Sequence, residues 1–134
     1  MPNLTSFIGK QTGKRALEMA GVTHNDIDLT MIYDSFTYTV LLSLEDLGFC
    51  SKGEGPDFVK GQRTAPGGDF PLNTNGGGLS YTHPGMYGIF LLVEAVRQLR
   101  GEAGARQIQS HNIALVNGTG GSLSSTGTAI LGIS

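Results

Sequence analysis

Three short stretches hold the side chains most able to do chemistry: Tyr33-Asp34-Ser35-Phe36, Tyr81-Thr82-His83-Pro84 and Asn117-Gly118. The His83 imidazole can donate a hydrogen bond to an oxygen that gains charge, or take a proton from a nucleophile. Tyr33 and Tyr81 can pass a proton through a phenolic oxygen, although a phenol is a weak base at neutral pH unless a neighbour activates it. Each residue also has a plainer reading. His83 serves equally as a helix cap, and each tyrosine as a half-buried ring with its hydroxyl on backbone.

The elements around these stretches predict how they are positioned. A short helix is expected over Lys14 to Ala20, with Ala16, Met19 and Ala20 inward and Gly21 as terminator. Thr23 and Asp26 have the spacing of a one-turn capping box ahead of a strand over 29–33. Asp34-Ser35 then supplies the N-cap of a helix ending near Leu47, with Phe36, Val40, Leu44 and Leu47 on its apolar face and Glu45 and Asp46 away from it. A long glycine- and proline-rich loop fills 51–72.

The second strong helix is expected from His83-Pro84 to Arg100, because proline suits the first helical position. Its stripe is Ile89, Leu92, Val93, Val96 and Leu99. His83 would then sit at the positive end of a helix dipole, which favours a neutral imidazole and attracts a developing oxyanion. Two buried strands, 113–116 and 128–133, flank a glycine-rich turn at 117–121. This order predicts one α/β domain over residues 1–134, layered on a mixed sheet, with the three polar stretches meeting at its carboxyl edge.

Composition removes several function classes. A net charge of -2 without any basic run gives nucleic-acid binding no footing. The longest apolar stretch, 89–93, is far too short to span a bilayer. A single cysteine, Cys50, rules out an internal disulfide and, by elimination, favours a cytoplasmic setting. It reads as a buried structural thiol more readily than as a nucleophile. His24, His83, His111 and Cys50 lack metal-ligand spacing, so no metal is expected. Gly76-Gly77-Gly78 and Gly120-Gly121 lack the residues of a phosphate loop and are read instead as places where backbone approaches a substrate or a facing strand. Low charge with 21 glycines suggests much surface meant for contact with other chain.

Asn73-Thr74-Asn75-Gly76-Gly77, then five residues, then His83-Pro84, resembles the thiolase block Asn-x-Asn-Gly-Gly followed by Gly-His-Pro. Tyr33-Asp34-Ser35-Phe36 stands in the place of the thiolase Asn-Glu-Ala-Phe segment. Val116 to Gly121 resembles the Cys-x-Gly-Gly segment before the last strand. The resemblance runs in order along essentially the whole chain, to the C-terminal half of the thiolase superfamily. It implies an α-β-α layered half and chemistry on the carbon chain of a coenzyme A thioester, with no permanently bound cofactor. It also implies that His83 activates a nucleophilic cysteine of the N-terminal half and helps hold the thioester oxygen.

The departures matter as much. The second catalytic cysteine would fall at Asn117 or Gly118, and neither can shuttle its proton. Tyr33 and Tyr81 replace an asparagine or histidine and an apolar residue. This pattern is similar to the lipid-transfer-protein branch and to thiolase-like aldolases that shorten steroid or related side chains by retro-aldol cleavage, alongside a small DUF35-type OB-fold partner. His83, Tyr33 and Tyr81 are thus the expected catalytic residues, and Asp34, Gly77, Asn117 and Gly118 are expected to meet substrate. Acyl transfer and a non-catalytic acyl-CoA or partner-binding module are the competing expectations. The resemblance further implies an interior strand ahead of the first helix; without it an apolar sheet edge stands open, and association with the remaining half or a second copy is expected.

Overall fold

The structure, a computed structural model, describes residues 3–83 and 85–133. Its centre is a mixed sheet of three strands, β1 (Leu29–Ile32), β2 (Ile113–Gly120) and β3 (Ser125–Gly132), in the order β1-β2-β3. β1 and β2 run parallel, pairing Leu29 with Ala114 through Ile32 with Asn117. β2 and β3 run antiparallel, from Ile113 opposite Gly132 to Gly120 opposite Ser125. On the other side of β1, residues 71–73 run alongside as a strand-like extension, with Thr30 N donating to Pro71 O and Asn73 N to Thr30 O.

Strand alternation separates two cores. Leu29, Met31, Ala114 and Val116 face α5 (Gly88–Leu99) and its buried Leu91 and Ala95. Ile32 and Leu115 face the opposite way, onto Leu17 of α1 (Gly9–Ala20) and Leu44 and Leu47 of α2 (Thr37–Leu47). The expected α-β-α layering is therefore present. Two one-turn helices, α3 (Gly55–Phe58) and α4 (Gly77–Ser80), interrupt the long loops.

Local chemistry explains several boundaries. Asp26 Oδ2 accepts from the Thr23 N–H and hydroxyl, both at 2.7 Å, which closes the expected capping box on a 3-10 turn. Gly21 and Gly48 end α1 and α2 in the left-handed conformation that glycine tolerates. α2 starts at Thr37 rather than at Asp34-Ser35. There the Thr39 hydroxyl donates to Phe36 O at 2.7 Å and accepts from Phe36 N at 3.2 Å, while Asp34 is engaged elsewhere.

Other expectations need correction. The glycine-rich segment 117–120 continues β2, because its groups pair with 125–128 of β3; the turn falls after it. Asp46 does not lie away from the core. Its carboxylate is buried, accepts from Phe7 N at 2.6 Å and pairs with Lys52 at 2.7 Å, fastening the segment before α1 onto α2. No gap opens inside the sheet. As for the expected open edge, among the described residues the strand without an outer partner is β3.

Candidate functional site

β1 delivers Tyr33 to the carboxyl edge of the parallel pair, where its N–H donates to Asn117 O at 2.9 Å. By alternation the Tyr33 ring joins the α5 face of the sheet. His83 comes from the segment after α4, and its Nε2 lies 3.0 Å from Tyr33 Oη. The two rings meet edge to face with centroids 5.6 Å apart. Tyr87 packs beneath both, its ring centroid 5.5 Å from Tyr33 and 6.2 Å from His83, and it stacks on Phe90.

Each member of the 73–77 block has a physical reason to be there. Asn73 takes a left-handed conformation, which asparagine tolerates, and its amide bonds both backbone groups of Ile32, at 2.8 and 2.9 Å. Thr74 donates to Glu94 Oε1 at 2.8 Å. Asn75 Oδ1 accepts from Gly77 N at 2.9 Å. Gly76 and Gly77 both have positive φ. The block thus turns the chain off the sheet edge and into α4, directly ahead of Tyr81 and His83.

Glu94 anchors that block from below. Arg106 grips it with two bonds of 2.9 and 2.8 Å, and Gln98 adds a third donor at 3.0 Å. Burial opposes ionisation of this carboxyl, yet the bonds from Arg106, Thr74 and Gln98 win and hold it below the ordinary glutamate value.

The other expected site residues divide. Gly118 faces α5, with the Cα of Gly88 3.7 Å from where its Cβ would be, and it lines a hollow of about 900 Å³ together with Tyr33, Phe36, Met86, Gly88 and Ile89. Asn117 does not line that hollow. Its amide is fully buried and donates to Thr126 and Thr128 of β3, and Thr128 in turn bonds Thr12 of α1. Asn117 therefore serves the α1 side of the sheet. Asp34 is buried, and its oxygens accept from Gly78 N and Leu79 N. Gly77 lies under that carboxylate and reaches neither His83 nor the hollow. Tyr81 is 58% exposed and stands apart from the Tyr33–His83 contact, its nearest ring being Phe90 at 6.3 Å.

His83 does not cap a helix. α5 starts at Gly88, after Met86 takes a positive φ and interrupts the helical path. The expected proline at the first helical position, Pro84, lies outside the described residues. Tyr33, rather than a helix dipole, is what engages the imidazole.

Two contributors escaped the sequence reading. Tyr87 is fully buried, and burial pushes its phenol up to about 12. Its spacing from Leu91 and Ala95 on a helical path was the available signal. Glu94 carried no such signal, since a lone glutamate in a helix is ordinarily solvated. Burial also pushes the Cys50 thiol up, which fits a structural role rather than a nucleophilic one.

A parallel strand pair with helices on both faces and an imidazole at its carboxyl edge defines a thiolase-type half. The chain belongs to the thiolase C-terminal domain-like family, whose model matches residues 1–133. It is 42% identical over 109 residues to an acetyl-CoA acetyltransferase of Methanothermobacter thermautotrophicus, covering 81% of this chain and 28% of that protein. It is 40% identical over 110 residues to the 17-hydroxy-3-oxo-4-pregnene-20-carboxyl-CoA lyase of Mycobacterium tuberculosis, again covering 81% of this chain and 28% of the relative. Among solved structures, a chain of an "Ltp2-ChsH2(DUF35) aldolase" superposes with a TM-score of 0.87 at 33% identity, over 98% of this chain and 34% of that one. The chain thus spans about a third or less of the proteins it matches.

Proposed function

We propose that this chain is the C-terminal part of a thiolase-like enzyme that cleaves a β-hydroxyacyl-CoA by a retro-aldol reaction in lipid or steroid side-chain degradation. The observation that carries the reading is the 3.0 Å contact between Tyr33 Oη and His83 Nε2. A phenol bonded to an imidazole can take the substrate's β-hydroxyl proton while passing its own to the ring, which removes the difficulty of tyrosine as a base. The bond between α- and β-carbons then breaks. The β-oxygen becomes a carbonyl, and the electron pair goes to the thioester as an enolate, which the imidazolium stabilises. The proton finally returns to the α-carbon, so nothing is consumed. Tyr81 is a second phenol available to substrate, with Tyr33 favoured as base because it alone of the two meets His83.

The lyase relative and the aldolase structure support this chemistry, and the acetyltransferase relative supports the acyl-transfer alternative. Asparagine at 117 and glycine at 118, the two positions where a thiolase cysteine could fall, favour lysis. Coenzyme A enters as part of the substrate. Packing against the remaining half is supported by Ile89, Val93 and Val96, which α5 exposes on the side opposite its sheet contacts. A DUF35-type OB-fold partner is part of the same reading. A cytoplasmic setting fits the free Cys50.

The test is to incubate the full-length protein, with and without a DUF35-type partner, with a β-hydroxyacyl-CoA whose β-carbon is tertiary. Release of a ketone together with the shortened acyl-CoA is the expected result. Exchange of acyl groups between CoA thioesters without any ketone, abolished by loss of a cysteine in the N-terminal half, would replace lysis with acyl transfer.

A further inference from the structure

We propose that Asp34 is a positioning residue whose carboxylate clamps the turn at Gly77–Leu79 and thereby holds His83 against Tyr33. This rests on the reading of Tyr33 and His83 as the reacting pair. Asp34 is 4% exposed, so its charge is committed to the protein interior rather than offered to substrate. Oδ1 accepts from Gly78 N at 2.7 Å and Oδ2 from Leu79 N at 3.3 Å. These N–H groups open α4 and have no partner within that helix, and a carboxylate satisfies them with charge-assisted bonds.

The adjoining glycines show how tightly the clamp closes. A Cβ at Gly77, where φ is +67°, would fall 2.1 Å from Asp34 Oδ2. One at Gly78 would fall 3.1 Å from Asp34 Oδ1 and 2.9 Å from His83 Cδ2. The missing side chain at Gly78 therefore leaves the space into which both the carboxylate and the imidazole close, so the two groups meet the turn at one point. Tyr33 directly precedes Asp34, so the end of β1 fixes both the phenol and the clamp. Releasing the clamp frees the turn to drift, and a shift of about 1 Å between reacting groups is enough to cost roughly 10²-fold in rate.

The experiment combines kinetics with a readout independent of the reaction. In the full-length protein, Asp34→Ala is expected to lower kcat for lysis by about 10²-fold with little change in KM. Asp34→Asn keeps an acceptor for Gly78 N and is expected to recover part of that loss; it also serves as the working variant if the alanine protein does not fold. His83 imidazole resonances, assigned by their loss in His83→Gln, supply the second readout. Tyr33→Phe should move them in the wild-type background, move them less in Asp34→Asn, and leave them nearly unmoved in Asp34→Ala, where the rings have already separated. An equal shift in all backgrounds would overturn the clamp. If the resonances behave as expected while no lysis is found in any protein, the clamp stands and the lysis reading falls.

Discussion

Tyr33→Phe in the full-length protein is expected to lower kcat for β-hydroxyacyl-CoA lysis by about 10²–10⁴-fold, the range for removing a positioned acid-base group. The substitution deletes one oxygen and keeps the ring, so the edge-to-face packing of Tyr33 on His83 and Tyr87 is retained. What is lost is the bond to His83 Nε2 and with it the proposed route for the substrate proton. Because the missing interaction acts on the reaction rather than on binding, kcat and kcat/KM should fall together. Tyr81→Phe should cost less, since among the described residues the phenol bonded to the imidazole is Tyr33. Equal activity of Tyr33→Phe and wild type would remove this phenol from the mechanism.

Glu94→Ala is expected to cost roughly 2–4 kcal/mol, because it strands the donors of Thr74, Gln98 and Arg106 around a buried position. Arg106 is partly exposed and can regain water, which keeps the loss toward the lower part of that range. The effect should be local. Hydrogen exchange should rise most in residues 73–80, which Thr74 fastens to α5, and less in β2 and β3. Glu94 also carries a pH signature. Its folded-state carboxyl is held below the ordinary value of 4.5, so its contribution is complete above that pH and is lost as pH falls through the lower folded value. Wild type should therefore lose protection of 73–80 on acidification below about pH 4.5, where Glu94→Gln shows a flatter response. Protection unchanged by either substitution would mean that the network does not hold the segment.

How far the sequence led can be judged from particular residues. The 73–77 block was legible because its asparagines and glycines answer backbone demands, and such demands leave fixed spacings. Strand β1 and the capping box at Thr23 were legible for the same reason. The α5 stripe misled in part, since Leu99 is buried in the core and Leu92 packs against it. Ile89 and Val93, exposed at 55% and 50%, lie on the outer face, while the sheet-facing side carries Leu91, Ala95, Glu94 and Gln98. Periodicity reports an apolar face without saying what covers it, and here a polar network satisfies the inner side. α1 misled in a related way: Gly9, Gly13 and Leu17 are its buried residues and Met19 is exposed. Motif spacing could not choose between Asn117 and Gly118, because it fixes distance along the chain, whereas side-chain direction follows strand alternation, which turns Gly118 rather than Asn117 toward α5.

The proposed chemistry depends on Tyr33 and His83 acting as one unit, and a double-mutant cycle measures that coupling most directly. Tyr33→Phe, His83→Ala and the double variant, compared by kcat/KM for lysis in the full-length protein, should give a double loss close to the larger single loss, because removing either partner already breaks the shared proton path. Single losses that multiply in the double variant would show two residues working independently and would contradict the account.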